Sequence, residues 1–166
     1  MSSPALDWKT LVAGATLPSV VLEVTEQTVI LVPVSTWDLF PGHHSPAYAR
    51  AQGRQDMYLN TVALQGIADR AVTDALGLQT WVVRRKLSMV DSVYPGDVVT
   101  GAATATQVRT PTTADPSPSS QTIHGAGDVV RRRGIEADFT VEMSTARGLV
   151  LRAEITACCY HHEGAS

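Results

Sequence analysis

The chain has 166 residues, 44% of them hydrophobic and 17% charged, with a formal net charge of −3. That length supports one folded unit with a substantial core, and that composition excludes a disordered chain. The weak negative charge gives no footing for nucleic acid or an anionic membrane as partner. No apolar run approaches a membrane span, and Met1-Ser2-Ser3-Pro4 lacks a basic-then-apolar signal, so a cytoplasmic protein is expected.

The chain opens with two β-branched runs, residues 19–24 and 28–34, which read as strands. Asp38-Leu39-Phe40-Pro41-Gly42-His43 follows, with a proline-glycine turn at its centre. Behind it, Ser45 suits an N-cap and Pro46 the first helical position, predicting a short helix over about 46–52 that Gly53 stops. From Asn60 the period becomes helical. Leu64, Ile67, Ala68, Ala71, Val72 and Ala75 share one face of the longest helix, with Asn60 as N-cap and Gly77 as stop. Ala63, Gly66, Ala68 and Ala71 are small enough to let a sheet approach closely. Gly66 inside a helix costs about 1 kcal/mol relative to Ala, which such an approach would explain.

Residues 81–90, 98–108, 135–143 and 149–159 return to a period of two and read as four strands. Tyr94-Pro95-Gly96-Asp97 joins the first two and Ala146-Arg147-Gly148 the last two, giving an antiparallel meander. Strands, one long helix and a meander make an α+β protein with one antiparallel sheet wrapped around the helix. The Pro/Ser/Thr-rich stretch at about 109–124 has little to bury and reads as a mobile surface loop, either a lid or an inert insertion. Arg131-Arg132-Arg133 reads either as a solvated turn or as a clamp for carrier phosphates. Cys158 and Cys159 are neighbours on a strand and point to opposite faces, so neither a disulfide nor, with His161 and His162, a metal site is expected.

Asp38 and His43 carry the chemistry. A carboxylate and an imidazole five residues apart, on a rigid loop in front of a capped helix, can hold one water between them. That is what adding water to an activated double bond, or removing it, requires. The rival reading has Asp38 capping the turn before Pro41. Asn60 combines the cap of the long helix with an amide in reach of a bound carbonyl, and the Thr61 and Val62 N–H groups lie unpaired at the positive end of the helix dipole. His44 lies on the other side of the loop, and Tyr48 and Tyr94 read as packing residues.

The pattern Asp-x-x-Pro-x-His-x5-Ala, on Asp38, Pro41, His43 and Ala49, resembles the core of the MaoC-like, or hydratase-2, motif of hot-dog-fold dehydratases. The resemblance runs through Gly53, the long helix and Val93-Tyr94-Pro95-Gly96-Asp97, covering most of residues 19–108. It departs from the family at Trp37 and Phe40, where Gly and Asn are usual, and at Leu59-Asn60-Thr61, where Ala-His-Gly is usual. Gln52-Gly53, Asn60-Thr61 and the run from Asp69 to Asp74 are similar to an actinobacterial-type branch. That branch includes the small MaoC-like subunit of steroid side-chain hydratases, and some of its members work as heteromers with a second hot-dog chain.

The resemblance implies one hot-dog domain over residues 1–166 and a lyase that hydrates or dehydrates the C2–C3 bond of an enoyl or 3-hydroxyacyl thioester. The carrier would be coenzyme A or the phosphopantetheine of an acyl carrier protein. Asp38 would orient and deprotonate the water and His43 would handle the second proton. The Thr61 and Val62 N–H groups would stabilise the enolate, and Asn60, Trp37 and Phe40 would line the substrate pocket. No metal or redox cofactor is implied, and the assembly would be a homodimer or a heteromer with another hot-dog subunit. Two rivals stay open: thioester hydrolysis, and a non-catalytic subunit that positions substrate for a partner.

Overall fold

Strand β1 (Val20–Glu23) is followed by helices α1 (Glu26–Thr36), α2 (Pro46–Ala51) and α3 (Thr61–Leu76). Four longer strands complete the chain: β2 (Thr80–Met89), β3 (Val98–Arg109), β4 (Arg131–Thr145) and β5 (Gly148–His162). The computed structural model describes residues 6–110 and 131–162, without the side chains of 131–133, 161 and 162. Most of the predicted 109–124 loop therefore lies outside the described residues, as do the side chains of the three arginines weighed as a phosphate clamp.

Helix α3 forms where its period predicts. The Asn60 side chain caps it by accepting the Ala63 N–H at 3.0 Å, and Gly77 (φ +84°) ends it. Its buried face, Leu64, Ile67, Ala68, Ala71, Val72, Ala75 and Leu76, shares one core with Phe139, Val141, Met143, Leu151 and Ile155 of the sheet. The helix touches every strand, so the sheet curls around it. Burying each of its larger side chains contributes roughly 1.5–3 kcal/mol, which holds helix and sheet together. Gly66 plays no part in this approach: it is exposed, and a Cβ there would meet open space. The close approach lies across the interface at Gly101 of β3, where a Cβ would touch Ile67 Cγ2 at 3.7 Å and Ala71 Cβ at 3.8 Å.

Residues 28–34, expected as a strand, belong to helix α1. Thr25 caps it in a reciprocal box with Thr28: the Thr28 N–H donates to Thr25 Oγ1 at 3.0 Å, and the Thr25 N–H reaches back to Thr28 Oγ1 at 3.4 Å. Only Val29 and Pro33, four residues apart, are buried along it. On a strand Leu31 would share their face, yet it is exposed; on a helix Val29 and Pro33 lie one above the other without it.

The meander is only partly realised. All strand pairs are antiparallel, in the order β1-β3-β4-β5-β2, so β3, β4 and β5 form the meander while β2 crosses to the far edge beside β5. The turn at residues 94–97 therefore links β2 at one edge to β3, the strand beside β1 at the other. Its backbone is tied to β1's exit, Gly96 N–H donating to Val24 C=O at 2.7 Å and Val24 N–H to Asp97 C=O at 2.8 Å. Arg147, in the β4–β5 turn, clamps the same segment: it donates to the Ser92 carbonyl at 2.8 Å, pairs with Asp97 and stacks over the Tyr94 ring at 5.0 Å. Arg131–Arg133, expected as a turn, begin β4, paired with His162, His161 and Tyr160. Cys158 and Cys159 are buried and unbonded to each other, and burial raises the Cys159 thiol above its ordinary range. No helix among the described residues is long and apolar enough to cross a membrane.

Candidate active site

The end of α1 sets the geometry. Trp37 adopts the left-handed conformation (φ 55°), where glycine is usual, and both its N–H and that of Asp38 return to the Pro33 carbonyl. This reversal sends the Trp37 side chain outward, 85% exposed, and the Asp38 side chain inward, 34% exposed. Pro41 then starts a single turn of 3-10 helix, Pro41–His43, which carries His43 into the interior at 7% exposure. His44, the next residue, faces solvent. Helix α2 follows at once, capped by Ser45 and closed by Gln52 and Gly53 (φ +77°).

His43 is held on three sides. Its Nδ1 lies 2.7 Å from the Tyr58 carbonyl. A carbonyl only accepts, so Nδ1 carries the proton, and in the neutral form of the ring Nε2 presents a lone pair. The Phe40 and Tyr58 rings meet the imidazole edge-on at 5.5 and 4.9 Å. Gly42 sits beneath them, and a Cβ there would come within 2.6 Å of Phe40 Cε1 and 2.9 Å of the Tyr58 hydroxyl. A side chain at residue 42 would push these rings off the imidazole.

Nε2 of His43 faces Oδ2 of Asp38 at 3.4 Å. With the ring neutral both atoms are acceptors, and a group with two hydrogens to give completes the pair. Water is such a group. Oδ2 also accepts from Asn60 Nδ2 at 3.2 Å, and the same nitrogen lies 3.2 Å from Thr36 Oγ1. Asn60 is 0% exposed. Its amide, expected to reach a bound carbonyl, is instead turned on the Asp38 carboxylate.

A cavity of about 230 Å³ opens in front of His43. Tyr58, Leu59 and Thr61 form one wall and Met89, Asp91 and Ser92 the other, with Arg54 among the lining residues. The two walls are joined where Leu59 N–H donates to the Val93 carbonyl at 2.8 Å. Of the residues expected to surround substrate, Thr61 lines this cavity. Trp37, Phe40 and Val62 are exposed outside its lining. The Thr61 and Val62 N–H groups stand in the first turn of α3, where the Asn60 carboxamide takes only the Ala63 N–H. Tyr58, Thr36 and Arg54 had no signal in the sequence. Tyr58 contributes a backbone carbonyl, Thr36 a hydroxyl inside an apolar run, and Arg54 a cation among several. Tyr48 stacks edge-on to Phe40 and Tyr94 beneath Arg147, the packing roles expected of them.

Neither a protein-family model nor a curated protein matches this sequence. Solved structures match its fold. The ChsH1–ChsH2 complex from Mycobacterium tuberculosis aligns at TM-score 0.71 and 22% identity, covering 89% of this chain and 98% of that one. The MaoC-like dehydratase from Rhodospirillum rubrum aligns at TM-score 0.70 and 18% identity, covering 92% and 95%. The (R)-hydratase from A. caviae involved in PHA biosynthesis aligns at TM-score 0.68 and 18% identity, covering 90% and 97%. An antiparallel sheet curled on one long helix is thus the hot-dog fold, and the structural neighbours of this chain include a MaoC-like dehydratase and an (R)-hydratase.

Proposed function

We propose that this chain is a hydratase or dehydratase acting at the C2–C3 bond of an acyl thioester carried on coenzyme A or phosphopantetheine. The observation that carries the reading is the pairing of Asp38 Oδ2 with Nε2 of His43, 3.4 Å apart, with the Nδ1 proton committed to the Tyr58 carbonyl. In the hydration direction, the water seated on this pair attacks C3. One water O–H bond breaks and its proton passes to the pair of Asp38 and His43, while the C2–C3 π electrons move onto the thioester oxygen. The resulting enolate is stabilised by N–H groups at the start of α3, Thr61 and Val62, along the positive end of the helix dipole. The pair then returns the proton to C2. Dehydration runs the same steps backwards, and neither direction needs a metal or redox group.

The fold neighbours support the reading, since hydratases and a dehydratase are among them. Trp37 and Phe40, exposed beside Asp38 and His43, support a working unit of two hot-dog chains, a homodimer or a heteromer, as does a neighbour that is a two-component complex. The proposed setting is cytoplasmic. The test follows loss of enoyl absorbance with crotonyl-CoA and a bulkier enoyl-CoA. Asp38→Asn and His43→Ala are expected to lower kcat by about 10²- to 10⁴-fold in protein that remains folded at the assay temperature. Rates equal to wild type would remove both residues from the chemistry. Release of free thiol with the double bond intact would replace the proposal with thioester hydrolysis.

A further inference from the structure

Capping alone does not explain why residue 60 is an asparagine. Serine and aspartate cap helices as well as asparagine does, and either would satisfy the Ala63 N–H. What only a carboxamide offers at this position is an acceptor and two donors on one rigid plane. The structure uses all of them. Oδ1 accepts from Ala63 N–H at 3.0 Å, and Nδ2 faces both Asp38 Oδ2 and Thr36 Oγ1 at 3.2 Å. The Thr36 hydroxyl donates its own hydrogen to the Val32 carbonyl at 2.9 Å, so it presents a lone pair to the amide. The N-cap bond fixes which way the amide is turned, because its oxygen is held by a backbone donor. No atom of this polar group is left for solvent or substrate, which accords with its 0% exposure. Among the described residues, His43 is the titratable group that faces Asp38.

We propose that Asn60 is a positioning residue for Asp38: its amide pins one carboxylate oxygen toward His43 and locks the base to the end of α3 that carries the Thr61 and Val62 donors. Base and enolate-stabilising donors are thereby set relative to each other by one side chain. The proposal rests on the hydratase reading for its kinetic consequence but not for its structural one. Asn60→Ser keeps a capping oxygen and removes the donor to Asp38. It is expected to lower kcat on crotonyl-CoA by about 10- to 100-fold, the strength of a hydrogen bond to a charged group, with KM near wild type and the protein folded at the assay temperature. Asn60→Asp keeps the cap and sets a second carboxyl against Asp38. The two then share a proton, and the acid limb of the pH–kcat profile is expected to move to higher pH. A purely structural cap predicts no change in either quantity.

Wild-type kcat and an unmoved pH profile in both folded variants would overturn the proposal. If position 60 tolerates neither change, Thr36→Val decides: it frees one amide hydrogen, so a reduced kcat supports the proposal and a wild-type kcat overturns it. If the wild-type protein leaves enoyl-CoA untouched, the hydratase reading fails and the pinning is judged separately. A ¹³C titration of the Asp38 carboxyl that differs between wild type and Asn60→Ser upholds it, and identical titrations overturn it.

Discussion

Helices α1 and α3 meet at the site, one ending just before Asp38 and the other beginning just after Asn60, yet they fold for opposite reasons. Helix α3 is written in its own periodicity: seven buried residues on one face, a capping asparagine before it and a glycine after it. Helix α1 is rich in β-branched Thr, Val and Ile, residues that favour extended chain, and carries a proline inside. It buries only Val29 and Pro33, and leaves Leu31 and Val34 exposed. Its ends hold it, through the box of Thr25 with Thr28 at the start and the left-handed Trp37 at the finish. A helix can thus be specified by its face or by its termini, and the second kind suits a segment whose task is to aim the next residue.

The largest expected difference between them is in the core. Leu64→Ala in α3 should cost about 2–5 kcal/mol, whereas Leu31→Ala in α1 should stay within about 0.5 kcal/mol; chemical denaturation of both variants measures the gap. Equal losses would mean that α1 is held by a face after all. Next comes the terminus. Thr25→Ala should cost about 1 kcal/mol and, because α1 aims Asp38, should lower kcat more than an equally destabilising change at the far end of α3.

Acid then separates both helices from the sheet. Asp138 of β4 accepts from Arg109 at 2.6 Å and from Thr156 at 2.6 Å, and the Arg109 guanidinium, ahead of the Thr156 hydroxyl, holds its carboxyl below the usual range. A depressed carboxyl stabilises the fold above its unfolded value of about 3.9 and loses that contribution as pH falls through the folded value. Asp138→Asn should therefore flatten the decline of stability below about pH 4. The effect should be under about 1 kcal/mol because the pair is partly solvated. Denaturation midpoints between neutral and acid pH read it.

Much of this was legible in the residues. The α3 face and cap, the short α2, the chain reversals at 94–97 and 146–148, and the proximity of Asp38 and His43 all follow from local spacing, and the structure has them where spacing puts them. The 28–34 run misled because a short apolar, β-branched stretch looks the same whether strand or buried helix. The deciding signal was the Thr25-x-x-Thr28 pair, a weak form of a capping box. The position of β2 was illegible for another reason: a turn shows that the chain reverses, and says nothing of which edge it reaches. Gly66 looked like a packing glycine because helical spacing set it near the apolar face, a position that lies just beyond the buried arc. Asn60 was legible as a cap, while the partner of its amide depends on where α1 ends, two elements away.

The placement of β2 also has a consequence in time. Its partner β5 lies far along the chain, with Thr80 paired to Cys159, whereas β4 meets β5 across a turn that pairs Thr145 with Gly148. Closing a long loop costs more entropy than closing a short one, so the β4–β5 hairpin is expected to form early and β2 to dock late. The segment after β2 furnishes Asp91 and Ser92 to the cavity wall. Pulsed hydrogen exchange during refolding should therefore find β4 and β5 protected before β2. The cavity would then be among the last parts of the molecule to exist, and a chain halted before β5 emerges would hold His43 with Asp91 and Ser92 not yet docked beside it.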